Sequence, residues 1–327
     1  MLSRRMLLAA SAVLLSALAF NGPADAQKYP ERPVTLIVPW AAGGGADIVS
    51  RILAAGLERE FNQPVNVINR TGGSGVTGHT TIMNAAPDGY TLGVATAEMA
   101  TFKTIGLADI TPDNFDIISR IVTFPSGITV KSDGPYKTAA DVVAAIKSAQ
   151  KGALSASGTG PGGAWHLAAA GLSKASGAPA DQIKFIPSQG GAPALQELAA
   201  GQLSFLTVSP IEARALAAAG KVKVLAVMDA GRMVSMPDVP TLKEATGLDW
   251  QYLNWFALAL PKGVPANIRA TIAEVAKKAH ARSDVQEPMK ERGITPVWET
   301  SEEARAYALK FGVTAKELLK ELGLAKE

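Results

Sequence analysis

The stretch VTLIVPWAAGGGADIVSR, residues Val34–Arg51, decides the fold. Val34–Val38 is apolar and rich in β-branched residues, which predicts a buried strand. Pro39 ends it, and Trp40, Ala41, Ala42 and Gly43–Gly45 follow. Val49, Ile52, Leu53, Leu57 and Phe61 then recur at helical spacing, with Asp47 in the first turn, where a carboxylate suits the positive end of the helix dipole. Such a strand–loop–helix junction presents backbone N–H groups without intrahelical partners, so it reads as an anion site. The glycines remove Cβ atoms and allow a ligand to approach the backbone. The spacing is neither G-x-x-x-x-G-K-[ST] nor G-x-G-x-x-G, which weakens a phosphate-loop reading and leaves a carboxylate as the alternative. A tight turn with no ligand accounts for the same glycines.

The 327 residues suit one large domain or two medium ones. Residues 1–26 read as a secretory signal. Arg4 and Arg5 supply the charge, Met6–Phe20 the apolar segment and Ala24-Asp25-Ala26 the cleavage site. The segment is short for a membrane span. The Arg pair resembles a twin-arginine signal, but the general secretory route is the expectation. An exported, periplasmic protein follows. The chain has no cysteine and only 3 histidines, which leaves little material for a disulfide, a thiolate nucleophile or a metal cluster. No cofactor is expected. The formal charge is +3, and +2 once Arg4, Arg5 and Asp25 are removed. Without a basic run, nucleic-acid binding is not indicated.

Further along, strands and helices alternate. Val65–Ile68 is a strand that closes with Asn69-Arg70, Thr71–Gly78 is a glycine-rich loop, and about His79–Ala85 is a short helix. Thr91–Thr96 is a third strand, and the alternation predicts a parallel α/β sheet. Phe115–Val122 and Gly127–Val130 are further apolar runs. The opening design then recurs: strand Leu154–Ser157, loop Gly158–Gly163, helix Ala164–Ala175. Strand Ile183–Ile186, loop Ser188–Gly191 and helix Ala192–Ala200 repeat it, and Ser209-Pro210 opens another helix. Tyr252–Leu260 reads as a strand, Pro265–Ala281 as an amphipathic helix, and Ser301–Leu322 as a closing helix with Ser301 as its cap. The expected division is residues 27–124 plus 230–327 for one α/β lobe and 125–229 for the other. Chain crossings are placed near Thr123–Gly127 and Met228–Arg232.

Together, several stretches resemble the extracytoplasmic solute receptors of tripartite tricarboxylate transporters, the Bug or TctC-like family. They are Tyr29–Val34, Val38–Asp47, Asn69–Gly75, Ala86–Leu92, Gly158–Gly160 with His166–Ala168, Pro237–Thr241, Trp255-Phe256 and Pro261–Pro265. The likeness covers essentially all of the mature chain. Each motif is weak alone; their order and spacing are specific. The resemblance implies an α/β periplasmic-binding-protein fold of type II character, two lobes joined by two crossing strands around a ligand cleft. It implies a small carboxylate held mainly by backbone amides and hydroxyls of two strand–helix loops, often with ordered water, and delivery to membrane subunits of a transporter. Carried over by position, these loops are Trp40–Gly44 and Ser157–Gly160. Pro161–Trp165 adds a bulky ring where many relatives are small. Ser188-Gln189 and Ser209 stand where relatives often carry Tyr-Lys and Asp. The ligand's identity is left open.

The candidate ligand-binding residues are therefore Trp40, Ala41, Ala42, Gly43, Gly44, Asp47, Ser157, Gly158, Thr159, Gly160, Trp165, His166 and Ser209. Each has a plainer reading. Asp47 beside an anionic ligand is repulsive, which favours a role in positioning the helix start. His166 either bonds a carboxylate or is tied to the backbone of its own turn. Arg70 either pairs with a carboxylate or steadies the Gly72–Gly75 loop. Trp40 and Trp165 either wall the ligand or pack the lobes. Ser157, Thr159 and Ser209 are donors or helix caps. His79 and His280 read as ordinary helix residues. Ser157 near His166 raises a hydrolase, but no G-x-S-x-G elbow or orienting acid accompanies them. The expected function is a monomeric receptor for a small carboxylate, not an enzyme. The alternatives are a periplasmic hydrolase or isomerase, and a sensing partner of a membrane kinase.

Overall fold

The structure is a computed structural model, and it describes residues 29–326; the expected export signal at 1–26 lies outside the described residues. In chain order the strands are β1 (Val34–Val38), β2 (Val65–Asn69), β3 (Thr91–Thr96), β4 (Phe115–Pro125), β5 (Gly127–Lys131), β6 (Ser155–Ser157), β7 (Lys184–Ile186), β8 (Val222–Val227), β9 (Leu253–Pro261) and β10 (Thr295–Pro296). The helices are α1 (Gly45–Phe61), α2 (Val76–Met83), α3 (Ala139–Ser148), α4 (Ala164–Ala175), α5 (Gly191–Ala199), α6 (Pro210–Ala218), α7 (Leu242–Thr246), α8 (Ala266–Ala281), α9 (Ser283–Lys290) and α10 (Ser301–Glu321).

The main sheet has 6 strands in the order β10-β4-β9-β3-β1-β2. β1 runs parallel to β2 and β3, as the alternating pattern predicts. The sheet is nonetheless mixed, because β9 lies antiparallel between β3 and β4, and β10 is antiparallel to β4. β1 and β3 end at the loops that follow them, whereas β9 begins beside those loops and runs away from them. A returning strand that enters from that end has no other direction available. Two smaller sheets carry the middle of the chain, β5 antiparallel to β8 and β6 parallel to β7.

Two apolar clusters stand out among the described residues. One gathers Ile37, Ile82, Met99, Phe102, Phe115, Trp255 and Ala308 around the main sheet. The other gathers Ile128, Val142, Ile146, Leu172, Phe205 and Leu225. Leu242 belongs to the second, with Leu248 and Trp250 packed against it, although residues 230 onward were expected with the first lobe. Between the clusters three backbone segments close a ring: Ser126 N–H donates to Tyr252 O, Tyr252 N–H to Met228 O, and Met228 N–H to Ser126 O, each at 2.9 Å.

Local chemistry sets the helix ends. α1 starts after Gly44 and stops at Asn62, which adopts the left-handed conformation that ends many helices. It packs closely on its neighbours because Gly56 has no side chain; a Cβ there would lie 2.5 Å from Val285 Cγ2. α10 is capped by Thr300, one residue before the expected Ser301, in a reciprocal box with Glu303. The Ser301 hydroxyl donates instead to Ile117 O. The apolar run Leu203–Val208 forms no strand and pairs only through a single bridge between Leu206 and Thr129.

Candidate functional site

The loops after β1 and β6 approach each other. A Cβ on Gly160 would lie 2.1 Å from Ser74 Cβ, so the glycine is what allows the second loop to touch the Gly72–Gly75 turn. Ala41 N–H donates to Gln189 O at 3.1 Å, tying the first loop to the turn before α5. Between them lies a cavity of about 20 Å³, lined by Trp40, Gly44–Ala46, Glu98, Thr159, Trp165, Gly190-Gly191, Glu212, Asn254 and Phe256. Such a volume holds a water molecule and no more. A far larger groove of about 620 Å³ lies between α4 and α10 beside Trp250, Tyr252, Tyr307 and Phe311. Its walls are mostly apolar, and it meets none of the strand–helix loops. The small cavity is the candidate because the starts of α1, α4 and α5 converge on it.

Two of those helix starts, of α4 and α1, are already engaged by the protein's own carboxylates. Glu98, in the turn that follows β3, is 3% exposed. Its Oε1 accepts from Ala164 N–H, the first residue of α4, at 2.9 Å. Its Oε2 accepts from the Thr96 hydroxyl at 2.5 Å, and Thr96 Oγ1 in turn accepts from Trp40 Nε1 at 3.2 Å. Burial pushes the Glu98 carboxyl up, and its hydrogen bonds oppose this. Glu212, in the first turn of α6, is 9% exposed. It accepts from the N–H groups of Gly45 and Ser209. Burial pushes its carboxyl up to about 7, with the Glu98 charge adding to the effect. A Cβ on Gly191 would lie 2.2 Å from Glu212 Oε2. The glycine therefore makes room for a carboxylate that belongs to the chain itself.

Comparison with known proteins bears on this arrangement. Residues 49–324 match the model of the tripartite tricarboxylate transporter family receptor, TctC. The chain belongs to that family. A UPF0065 protein of Cupriavidus necator, from the gbd 5' region, is 30% identical over 322 residues, covering 98% of this chain and 96% of its own. The solved structure of the periplasmic binding protein BugD has a TM-score of 0.82 at 28% identity, over 91% of this chain and 100% of that one. MatC from Rhodopseudomonas palustris, solved with bound malate, has a TM-score of 0.75 at 27% identity, over 91% of this chain and 100% of that one. The fold is that of the periplasmic binding proteins, and the family is one of solute-binding receptors.

Within this family member the expected site residues divide. Trp40, Gly44, Thr159 and Trp165 line the cavity. Ala42 and Gly43 face solvent, and Gly43 N–H donates to Asp47 Oδ2 at 2.9 Å. Ala41 is half-buried and does not line the cavity. Asp47 does not reach the cavity either. Its Oδ2 also accepts from Arg51 Nε at 3.0 Å and its Oδ1 from Asn69 Nδ2 at 3.0 Å. Burial opposes its charge, but Arg51, Gly43 and Asn69 outweigh that and hold the carboxyl below the usual range. Asp47 thus locks the loop to α1, the plainer of its two readings. Ser157 donates to Ile186 O at 2.8 Å, and Gly158, at φ +141°, gives way to the Trp165 ring. His166 Nδ1 accepts from Gly162 N–H at 2.9 Å, and its ring stacks on Phe185 at 4.4 Å. Burial depresses its pKa to about 4, so it is neutral at physiological pH. Ser209 is fully buried, with its hydroxyl unpartnered.

The sequence reading missed Glu98, Glu212, Asn254 and the ring of Phe256. Glu98 carried a signal: it is a lone acid in Ala97-Glu98-Met99-Ala100, directly after a buried strand. Glu212 carried none, because an acid in the first turn of a helix is ordinary dipole chemistry.

Proposed function

We propose that the protein is exported by the general secretory route and binds a small organic acid in the cavity between the two strand–helix loops. It then delivers that acid to the membrane subunits of a tripartite tricarboxylate transporter. The observation that carries this reading is the meeting of the loops after β1 and β6 at one cavity in a receptor of this family. MatC, a relative of the same fold, was solved with malate. The binding residues are taken to be Trp40, Gly44, Thr159 and Trp165, joined by Asn254 and Phe256. Because the cavity is too small for an organic acid, the two halves separate to admit one and close on it. The hinge is the ring of Ser126, Met228 and Tyr252, with residues 242–250 carried by the second lobe. Closure strengthens hydrogen bonds by excluding water and presents a new surface to the transporter. A hydrolase reading finds no support, since Ser157 and His166 bond to separate backbone groups and not to each other.

A calorimetric screen of purified mature protein against aliphatic and aromatic acids, including amino acids and other zwitterions, tests the reading. Saturable binding of at least one acid, lost in Trp165→Ala with the fold intact, is expected. Binding confined to sugars or other uncharged solutes overturns it.

A further inference from the structure

The two glutamates reach across the cavity in opposite directions. Glu98 leaves the main-sheet half and seats on the start of α4. Glu212 leaves the other half and seats on the start of α1. Each occupies an N–H group that a ligand carboxylate would otherwise use. Among the described residues, no lysine, arginine or histidine lines the cavity. Its other walls are the rings of Trp40, Trp165 and Phe256, with Thr159 and Asn254 as the uncharged polar groups. Ser209, at the cap position before α6 and three residues before Glu212, is fully buried with an unpartnered hydroxyl, so polar groups around Glu212 are not all satisfied from within the protein.

A cavity with two carboxylates, two indoles, a phenyl ring and no cation has the recognition chemistry of a positive charge. Aromatic faces attract ammonium groups through the ring quadrupole, most strongly where water is excluded. Buried carboxylates gain most from a cation placed between them, because each already raises the cost of ionising the other. A dicarboxylate brought to the same place adds like charge to both. We infer that the ligand is an organic acid that also carries a cationic nitrogen, an ammonium or quaternary ammonium group, held between Glu98 and Glu212 against the rings of Trp40 and Trp165. This rests on the reading that the cavity binds an organic acid, and it narrows the class of acid. The nitrogen seats at the glutamates, and the acid end meets the uncharged side of the cavity at Thr159 and Asn254.

The test compares four probes built on a similar three-carbon spacer: 4-aminobutanoate, 4-(trimethylammonio)butanoate, glutarate and propyltrimethylammonium. Isothermal titration calorimetry on the mature protein is expected to show at least one nitrogen-bearing acid binding about tenfold or more tighter than glutarate. Glu98→Gln and Glu212→Gln are each expected to weaken that binding about tenfold and to narrow the gap to glutarate. Folding of both variants is read from their thermal transitions. Glutarate binding as tightly as the nitrogen-bearing acids overturns the inference and leaves the organic-acid reading standing. Propyltrimethylammonium binding as tightly as the matching acid supports the cationic nitrogen and overturns the organic-acid reading. Unchanged affinity in both Gln variants, or no binding by any of the four, overturns the inference.

Discussion

Glu212 gives the sharpest numerical prediction. Burial lifts its carboxyl from an ordinary 4.5 to about 7. A tenfold change in proton affinity is worth about 1.4 kcal/mol, so the shift corresponds to about 3 kcal/mol. The sign follows from the raised folded pKa. Between pH 4.5 and 7 the folded protein holds a proton that the unfolded chain has released. The associated stability is present in full below pH 4.5 and is lost as pH rises through about 7. Glu212→Gln keeps the shape and removes the titration. Wild type at pH 8 should therefore fall about 3 kcal/mol further behind the variant than it does at pH 4.5, a relative shift of about 5 °C in melting temperature for a chain of this length. The buried histidines titrate in the opposite sense, which is why the comparison is between two proteins and not between two pH values. Thermal melts of both proteins from pH 4.5 to 8 provide the assay. Parallel curves across that range would refute the placement of Glu212 in a closed, water-poor cavity.

Three further outcomes are expected. Gly160→Ala pushes against Ser74, since the new Cβ would lie 2.1 Å from Ser74 Cβ; it should weaken ligand affinity about tenfold, and adding Ser74→Gly should restore it, as read by calorimetry. Gly191→Ala meets Glu212 Oε2 at 2.2 Å, so it should cost about 1–3 kcal/mol in wild type and much less in a Glu212→Ala background, a coupling that a double-mutant cycle in urea measures. His79 is fully buried, and burial depresses its pKa to about 4. Its folded pKa lies below the unfolded value, so its contribution is present above pH 6.5 and is lost as pH falls through 4. His79→Gln should flatten the acid limb of stability against pH, and an unchanged limb would contradict this.

Much of the architecture was legible because it is written in local patterns. Val34–Val38 is a short, β-branched apolar run that reads as a buried strand, and the glycine loops after β1 and β6 announce helix starts through small residues followed by helical periodicity. The antiparallel placement of β9 was not legible, since pairing direction depends on where the returning chain enters the sheet. The site was half legible. Trp40, Gly44 and Thr159 belong to the loops that define it, Trp165 follows the second, and all four line the cavity. His166 and Asp47 lie in the first turns of the helices that follow those loops and turn back to bond the loop backbone at Gly162 and Gly43, a matter of rotamer and packing that spacing does not encode. Glu98 and Glu212 come from elements distant in sequence, 98 and 212 residues along, and only the tertiary fold brings them to helix starts belonging to the opposite half.

The most direct measurement is a crystal structure of the mature protein with an acid that calorimetry shows to bind. The ligand should lie between Trp40 and Trp165, within reach of Thr159, in a cavity enlarged from its present volume of about 20 Å³. A ligand found instead in the groove beside Trp250 and Tyr307, with the inner cavity unchanged, would contradict the account.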